Sequence, residues 1–482
     1  MQLLYNTKLE YTMLTYTFDE NRKTALYEQL YRFIKQDISL GKLSAGEKLP
    51  SKRALARHLH LGIITVQNAY AQLAVEGYIV TRERSGYFVA ELEARLPPPA
   101  APEPAPEPER EHPAFLLDLR TNRINAESFP FSVWSRLMRQ TILDRSSKLL
   151  EPLPQNGAYA LREAIAQHLY SFRGMTVRPE NIVVAAGTEV LENFIVQLLG
   201  RGRVYALEDP GYAKVAQVCT AAGAEVAFIP LDGMGMAVPE LRKSGASVVH
   251  LSPAHHYPTG IVMPISRRRE LLRWAHDRGG YIIEDDYDSE FRFSGRPVET
   301  LQSIDSGGSV IYMNTFSKSI APSIRISYMV LPDALLEAYR KKLGFYSCTV
   351  PGFEQYTLAQ FIKGGHFEHH IARMKNYYKA LRGQVIAAID ALPYRDKITI
   401  AEEHAGLHFL LKLDTDLPDT ALLARAAALG VKIACLSEFS SLHAHRFAHT
   451  LVVNYSGVTP AQLAQFRRCI ETDKAPLPAN RS

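Results

Sequence analysis

Apolar residues recur at helical spacing near the start of the chain: Leu26, Leu30, Phe33, Ile34 and Ile38 predict an amphipathic helix over residues 24–40, closed by Gly41. The stretch LPSKRALARHL reads as a second helix, with Ser51 as N-cap after Pro50 and Leu55 and Leu59 turned inward. HLGIITVQNAYAQLAVEGY reads as a third. It buries Val66, Tyr70 and Leu73, leaves Gln67, Asn68, Ala71 and Gln72 outside, and stops at Gly77. YIVTRERSGYFVA then alternates as two short strands joined by a basic turn over residues 82–86. Helix, turn, helix and basic hairpin in this order make a winged helix, whose third helix enters a DNA major groove while the hairpin lies over the backbone.

The pattern stops at residues 91–112, ELEARLPPPAAPEPAPEPEREH, mostly Pro, Ala and Glu without apolar period. Such a segment buries no core and predicts an extended spacer of about 3.1 Å per residue. The chain therefore divides into residues 18–90, a linker over 91–114, and a second domain over 115–475. Seven short apolar runs follow: NIVVAA, RVYALE, EVAFIP, SVVHLS, YIIED, SVIYMN and RISYMVL. Helix-length segments such as ISRRRELLRWAHDRGG separate most of them, the pattern of an α/β domain with a seven-stranded, mainly parallel, doubly wound sheet.

Composition sharpens this picture in three ways. With 482 residues, 46% hydrophobic and 22% charged, the chain has globular composition and room for at least two domains. Its net charge of +5 is concentrated, because residues 41–86 hold seven Lys and Arg against three Glu, a local +4 that suits a polyanion. No apolar run approaches the roughly 18 residues that span a bilayer, and MQLLYNTKLEYTM lacks a signal-peptide core, so a cytoplasmic protein with no membrane partner is expected. Cys219, Cys348, Cys435 and Cys469 lie far apart without a CxxC pair, which argues for buried free thiols rather than a metal ribbon or disulfide framework.

The candidate chemistry sits where ligands bind in such sheets, at the carboxyl ends of the strands. The first run ends in AAGTE, whose Gly187 and Thr188 open a helix suited to a phosphate. The second brings Tyr212 in EDPGY, the fourth ends in SPAHHYPTG, the fifth in EDDYD, and the sixth in TFSK with Arg325 seven residues beyond Lys318. A buried lysine is costly unless paired or covalently used, and a Schiff base with pyridoxal 5'-phosphate gives it a use. That cofactor needs an acid opposite its pyridine nitrogen, which Asp285 supplies, while Tyr287 reaches its ring hydroxyl and Tyr212 its face. Thr315, Ser317 and Arg325 join Gly187 and Thr188 around the phosphate, Arg325 with a charge-assisted bond. A metal pair at Asp285 and Asp286 is disfavoured because adjacent strand residues point to opposite faces. His255 and His256 read as turn residues, and no metal is expected.

These residues carry a resemblance on both sides of the linker. LPSKRALARHL and TVQNAYAQLAVEGYIVTRERSGYFVA resemble the DNA-binding domain of GntR-type regulators, although Gly62 and Ile63 stand where that family usually has Ser and Arg. QNGAYALREAIAQHL, AAGTE, EDPGY, PTG, EDDYDSEF and TFSKSIAPSIR resemble fold type I aminotransferases, in the family's order. The two joined by a linker resemble the MocR/GabR regulators. That resemblance implies Lys318 as the Schiff-base lysine, Asp285 as the pyridinium partner, Tyr287 at the ring hydroxyl and Arg325 at the phosphate. It also implies a homodimer binding duplex DNA and a small-molecule effector, with Ser51, Lys52, Arg53, Thr65, Gln67, Asn68, Arg82 and Arg84 as candidate DNA contacts.

The alternative is an active aminotransferase carrying a DNA-binding domain. Aminotransferases of this fold commonly grip the substrate carboxylate with an arginine in a motif matching VVNYS, where this chain has Val452. Lys214 and Arg446 are the candidate substitutes. The valine favours a regulator that senses the cofactor, or an amine joined to it.

Overall fold

The computed structural model describes residues 13–19, 24–92, 115–120, 128–293, 298–392, 395–401, 406–459 and 461–463. The chain divides into two compact units, Met1–Arg110 and Glu111–Ser482. The linker expected over 91–114, apart from residues 91–92, and Cys469 lie outside the described residues.

The first unit is three helices and a hairpin. Helix α1 spans Leu26–Ser39, α2 Lys52–His58 and α3 Ile63–Val75. Strands β1, Ile79–Arg82, and β2, Gly86–Val89, pair antiparallel with Arg82 opposite Gly86. Leu30, Ile34 and Ile38 bury one stripe of α1 against Val66, Ala69, Tyr70 and Leu73 of α3. At the head of α1, Leu26 departs from the expected stripe and is exposed; it occupies the first helical position, outside the span where α1 is covered. Ser51 caps α2 by accepting from Ala54 N–H at 3.2 Å, a bond worth about 1 kcal/mol. Gly62 begins α3 without a side-chain cap. The Tyr70 hydroxyl ties α3 to the segment that leads into α2 by donating to Pro50 O at 3.0 Å.

The second unit is built on an eight-stranded sheet of order β4-β11-β10-β9-β8-β5-β6-β7. Its strands are β4 Ile182–Ala185, β5 Val204–Asp209, β6 Glu225–Asp232, β7 Gly235–Met236, β8 Val248–Leu251, β9 Tyr281–Asp285, β10 Val310–Thr315 and β11 Ser327–Val330. The seven expected runs are all strands of this sheet. The eighth, β7, is a two-residue edge turned back from β6, too short to carry a period. Neighbours among β6, β5, β8, β9 and β10 pair parallel, whereas β11 runs antiparallel to both β10 and β4. All six residues of β10 and all four of β8 are buried, as strands covered on both faces must be. The helix Thr188–Leu199 covers one face with Leu191, Ile195 and Leu198. The helix Ile265–Arg278 covers the other with Leu271 and Trp274.

Beyond this sheet, β12 Ile398–Ala401, β13 His408–Leu413 and β15 Thr450–Asn454 form a three-stranded antiparallel sheet. The short strands β3, Leu117–Asp118, and β14, Val431–Lys432, pair parallel. Among the described residues Cys219 and Cys435 are buried free thiols and Cys348 is half-buried. No helix among them is long and apolar enough to cross a membrane.

Candidate functional site

A cavity of about 620 Å³ opens at the carboxyl ends of β4, β5, β8, β9 and β10, and it brings together Thr188, Tyr212, Asp285, Tyr287, Thr315, Ser317, Lys318 and Arg325. Parallel register is what aligns them: Asp285 at the end of β9 stands beside Met313 of β10, two residues before Thr315. The chain then turns into the short helix Phe316–Ser319, which carries Lys318. Thr315 caps that helix by accepting from Ser317 N–H at 3.1 Å, and its oxygen also takes the Ser327 hydroxyl at 2.8 Å. Its hydroxyl is thus engaged in placing the lysine turn, whereas Ser317 Oγ is buried without a partner.

Burial holds the Lys318 ammonium down to about 8 against the opposing pull of Asp288 and Asp285, so a neutral amine is accessible near neutral pH. Burial likewise pushes Asp285 up to about 7, although His250 favours its charge. Asp285 Oδ1 is buried with no hydrogen-bond partner. His250 lies 2.9 Å from Glu192 and 4.0 Å from Asp285. Burial opposes its charge, but those two carboxylates raise it to about 9 and keep it a cation at neutral pH. An unpaired buried carboxylate oxygen is costly, and a protonated ring nitrogen is the kind of donor that would satisfy it.

Gly187 ends the turn before the helix Thr188–Leu199 at φ 105°, and a Cβ there would collide with Arg325 Nη2. Only glycine allows both the backbone conformation and the close approach of that guanidinium. Arg325, itself at φ 49°, donates through Nη2 to Ala186 O at 3.3 Å and to Glu189 Oε2 at 2.7 Å. The residues present therefore fit pyridoxal phosphate: an orphaned acid for the ring nitrogen, a buried amine, and a helix start, a free hydroxyl and an arginine for the phosphate.

Asp285 and Asp286 point apart, as expected of strand neighbours. Asp286 turns to the other side, where Arg173 and the Tyr312 hydroxyl, at 2.7 Å, hold it. His255 and His256 are not mere turn residues but buried groups. His255 Nδ1 lies 2.9 Å from Asp288 Oδ2 and 3.3 Å from the Tyr287 hydroxyl, so it orients the tyrosine. His256 Nδ1 meets the Thr259 hydroxyl at 2.7 Å, and burial drives its pKa down to about 3. With His408, His255 and Asp288 form the one grouping of metal-ligand atoms within 4.8 Å among the described residues.

Several lining residues have no role assigned from the sequence: His250, Tyr257, Glu189, Glu208, Arg120, Glu438 and Phe439. Glu189, Glu208 and Tyr257 lie inside the strand-end motifs AAGTE, EDPGY and SPAHHYPTG, and His250 inside the apolar run SVVHLS, whereas Arg120, Glu438 and Phe439 carry no signal. Glu438 and Phe439 come from a segment distant in sequence, tied to the end of β5 by Gly211 N–H to Phe439 O at 3.0 Å and by Asp209 accepting from the Ser440 hydroxyl at 2.8 Å. Of the substitute cations, Lys214 lines the cavity but is bonded to Glu189 at 2.7 Å, and Arg446 is not among its lining residues. Arg120 does line it, 3.0 Å from Glu438. Val452 is fully buried in an apolar cluster with Leu410 and Leu436, against Tyr257 and Phe439 of the cavity wall.

On the first unit, Gln67, Asn68, Arg53, Arg82 and Arg84 are exposed, and Thr65 and Lys52 are half-buried. Lys52 Nζ donates to Gln67 Oε1 at 3.4 Å, which links α2 to the outer face of α3. Arg84 takes φ 57° at the tip of the wing, and Arg82 lies over the Phe88 ring.

Comparison with known proteins matches residues 26–89 to the bacterial regulatory proteins of the gntR family and residues 116–470 to aminotransferase class I and II. YdeL, an uncharacterized HTH-type transcriptional regulator of Bacillus subtilis, is 36% identical over 441 residues, 91% of this chain and 95% of its own. The probable rhizopine catabolism regulatory protein MocR of Rhizobium meliloti is 29% identical over 471 residues, 93% of each chain. Among solved structures, a Pyrococcus horikoshii kynurenine aminotransferase superposes with a TM-score of 0.66 at 26% identity, over 77% of this chain and 93% of that one.

Proposed function

The chain belongs to the MocR-type transcription regulators, a GntR DNA-binding domain joined to an aminotransferase class I and II domain of a pyridoxal-phosphate-dependent family, and from this premise we propose that it is a sensor: the second unit holds pyridoxal phosphate on Lys318, and its occupancy by the cofactor, or by an amine joined to it, sets how the winged helix binds DNA. The observation that carries the reading is the pairing, in one cavity, of a buried Lys318 amine with the partnerless Asp285 Oδ1. When bound, the cofactor supplies an aldehyde that captures amines and a ring that withdraws electrons. Lys318 Nζ is the amine that holds it. Asp285 would accept from its ring nitrogen, with His250, itself held by Glu192 at 2.9 Å, lying 4.0 Å from that carboxylate. Tyr287, oriented by His255, donates to the ring hydroxyl, and Tyr212 covers the ring. Thr188, Ser317 and Arg325 hold the phosphate. The domain limits 18–90 and 115–475, a homodimeric assembly and a cytoplasmic location belong to the same proposal.

The residue at 452 favours a sensor over a transaminase, because a buried valine there offers an α-carboxylate no guanidinium, and Arg120, which does line the cavity, is paired with Glu438 at 3.0 Å. The test is a single-turnover assay in which cofactor-loaded protein is mixed with a panel of common α-amino acids. Conversion to the pyridoxamine form should be slow with all of them; rapid conversion with any one would promote the enzyme.

DNA binding by the first unit rests on the family match and the local +4 charge. Neutralising Arg82 and Arg84 together should weaken binding about equally on all sequences. It should also flatten the dependence of log affinity on log salt by about 0.9 for each phosphate no longer neutralised. Changes at Gln67 or Asn68 should alter sequence preference instead. Filter binding of full-length protein to its own upstream region and to random duplex, across a salt series, measures both.

A further inference from the structure

The phosphate cradle contains a group that a phosphate-binding site does not need. Glu189, in the first turn of the helix Thr188–Leu199, lines the same cavity as Thr188, Ser317 and Arg325. Its Oε2 takes Arg325 Nη2 at 2.7 Å and its Oε1 takes Lys214 Nζ at 2.7 Å. One carboxylate thus bridges the cradle's arginine and its neighbouring lysine. Burial alone would raise the pKa of Glu189, but Lys214, its own helix N–H and Arg325 hold it down to about 2, so it is an anion throughout the physiological range. Two cations and one anion leave these three side chains a net charge of one, facing a ligand that carries nearly two negative charges. Gly187 makes the arrangement possible, since any side chain there would displace the Arg325 guanidinium.

We propose that Glu189 is a resident counter-anion of the cradle: it occupies Arg325 and Lys214 in the empty site, and a phosphate dianion must take Arg325 from it, so Glu189 sets the cofactor concentration at which the site fills. This rests on the reading that pyridoxal phosphate binds at Lys318, and it gives that reading a physical reason for reversible occupancy. An enzyme gains from permanent cofactor, whereas a sensor needs a site that empties. Breaking the Arg325–Glu189 pair and bringing a dianion beside a carboxylate both oppose binding, on the scale of one partly exposed charge pair. The effect belongs to the phosphate and not to the aldehyde.

The experiment titrates full-length wild-type protein and the Glu189→Gln variant with pyridoxal phosphate and, separately, with pyridoxal, which keeps the aldehyde and ring but lacks the phosphate. Glutamine keeps the shape of the side chain, removes its charge and can accept from only one of the two cations, since its amide nitrogen donates. Glu189→Gln should bind pyridoxal phosphate about tenfold more tightly, and pyridoxal with the wild-type affinity to within twofold. Inorganic phosphate should likewise bind the variant about tenfold more tightly, read as an inhibition constant corrected for each protein's own affinity for pyridoxal phosphate; Glu189→Ala, which should shift both constants in the same direction, gives a second variant should the glutamine not fold. An unchanged ratio of pyridoxal phosphate to pyridoxal affinity, or weaker binding of the phosphate ester by the variants, overturns the role of Glu189 while leaving the Lys318 site standing. Failure of every protein to bind pyridoxal phosphate overturns both.

Discussion

Full-length protein carrying Lys318→Ala should lose the near-visible absorbance of covalently held pyridoxal phosphate, and borohydride should then fix no cofactor to the chain, where the wild type is labelled at that one lysine. The physical ground is the amine's surroundings. Lys318 is held by burial at about 8, so an appreciable fraction is neutral and nucleophilic near pH 7, which an exposed lysine is not. The other lysine lining the cavity, Lys214, is raised above its ordinary value by its bond to Glu189 and is a poor nucleophile. Labelling should therefore fall to background rather than move to another residue. Peptide mapping after reduction checks this, and retention of the absorbance band by Lys318→Ala would show that the cofactor is held elsewhere.

Asp285→Asn should weaken cofactor binding by about tenfold to a hundredfold, the roughly 1.5–3 kcal/mol of a hydrogen bond to a charged group. The carboxylate faces the cavity with Oδ1 unpaired, and its ionised form is disfavoured by burial until a cation arrives. A pyridinium N–H meets that need. An asparagine keeps the shape but offers a neutral acceptor, and it leaves His250 with Glu192 as its nearest carboxylate. Spectroscopic titration of the variant reads the affinity, and the same titration with Lys318 intact confirms that attachment is still possible. Equal affinity for wild type and variant would remove Asp285 from the ring-nitrogen position.

Both positions could be read from the sequence for one reason: in a parallel sheet buried on both faces, strands read as continuous apolar runs, and whatever polar residue follows a run stands at the ligand-binding edge. DDYD after YIIE and TFSK after SVIYMN are of this kind. The winged helix could be read because its apolar residues keep strict period, broken only at Leu26, where the stripe outruns its cover. What the sequence concealed is what depends on distant pairing. Glu189 reads as an ordinary first-turn acid, favourable at a helix start, until Lys214 and Arg325 are seen on either side of it. His255 and His256 sit in the turn-like segment SPAHHYPTG, yet their partners Asp288, Thr259 and Glu208 make them buried groups, His256 in the cavity wall and His255 bonded to Tyr287 of that wall. Glu438 and Phe439 reach the cavity through a loop anchored on Asp209, more than two hundred residues earlier in the chain. The two-residue strand β7 has no pattern to read at all.

Filling the Lys318 site should change how the chain binds DNA, and a single comparison addresses this: the affinity of full-length wild-type protein for duplex from its own upstream region, at fixed salt, with and without saturating pyridoxal phosphate, beside Lys318→Ala under the same conditions. The affinity should shift severalfold with cofactor in the wild type, in either direction, and stay constant in Lys318→Ala, since a ligand alters DNA binding only by the difference in its affinity for the free and DNA-bound forms. Identical DNA affinity for cofactor-loaded and cofactor-free wild type, with the lysine demonstrably labelled, would show that the site does not govern DNA binding.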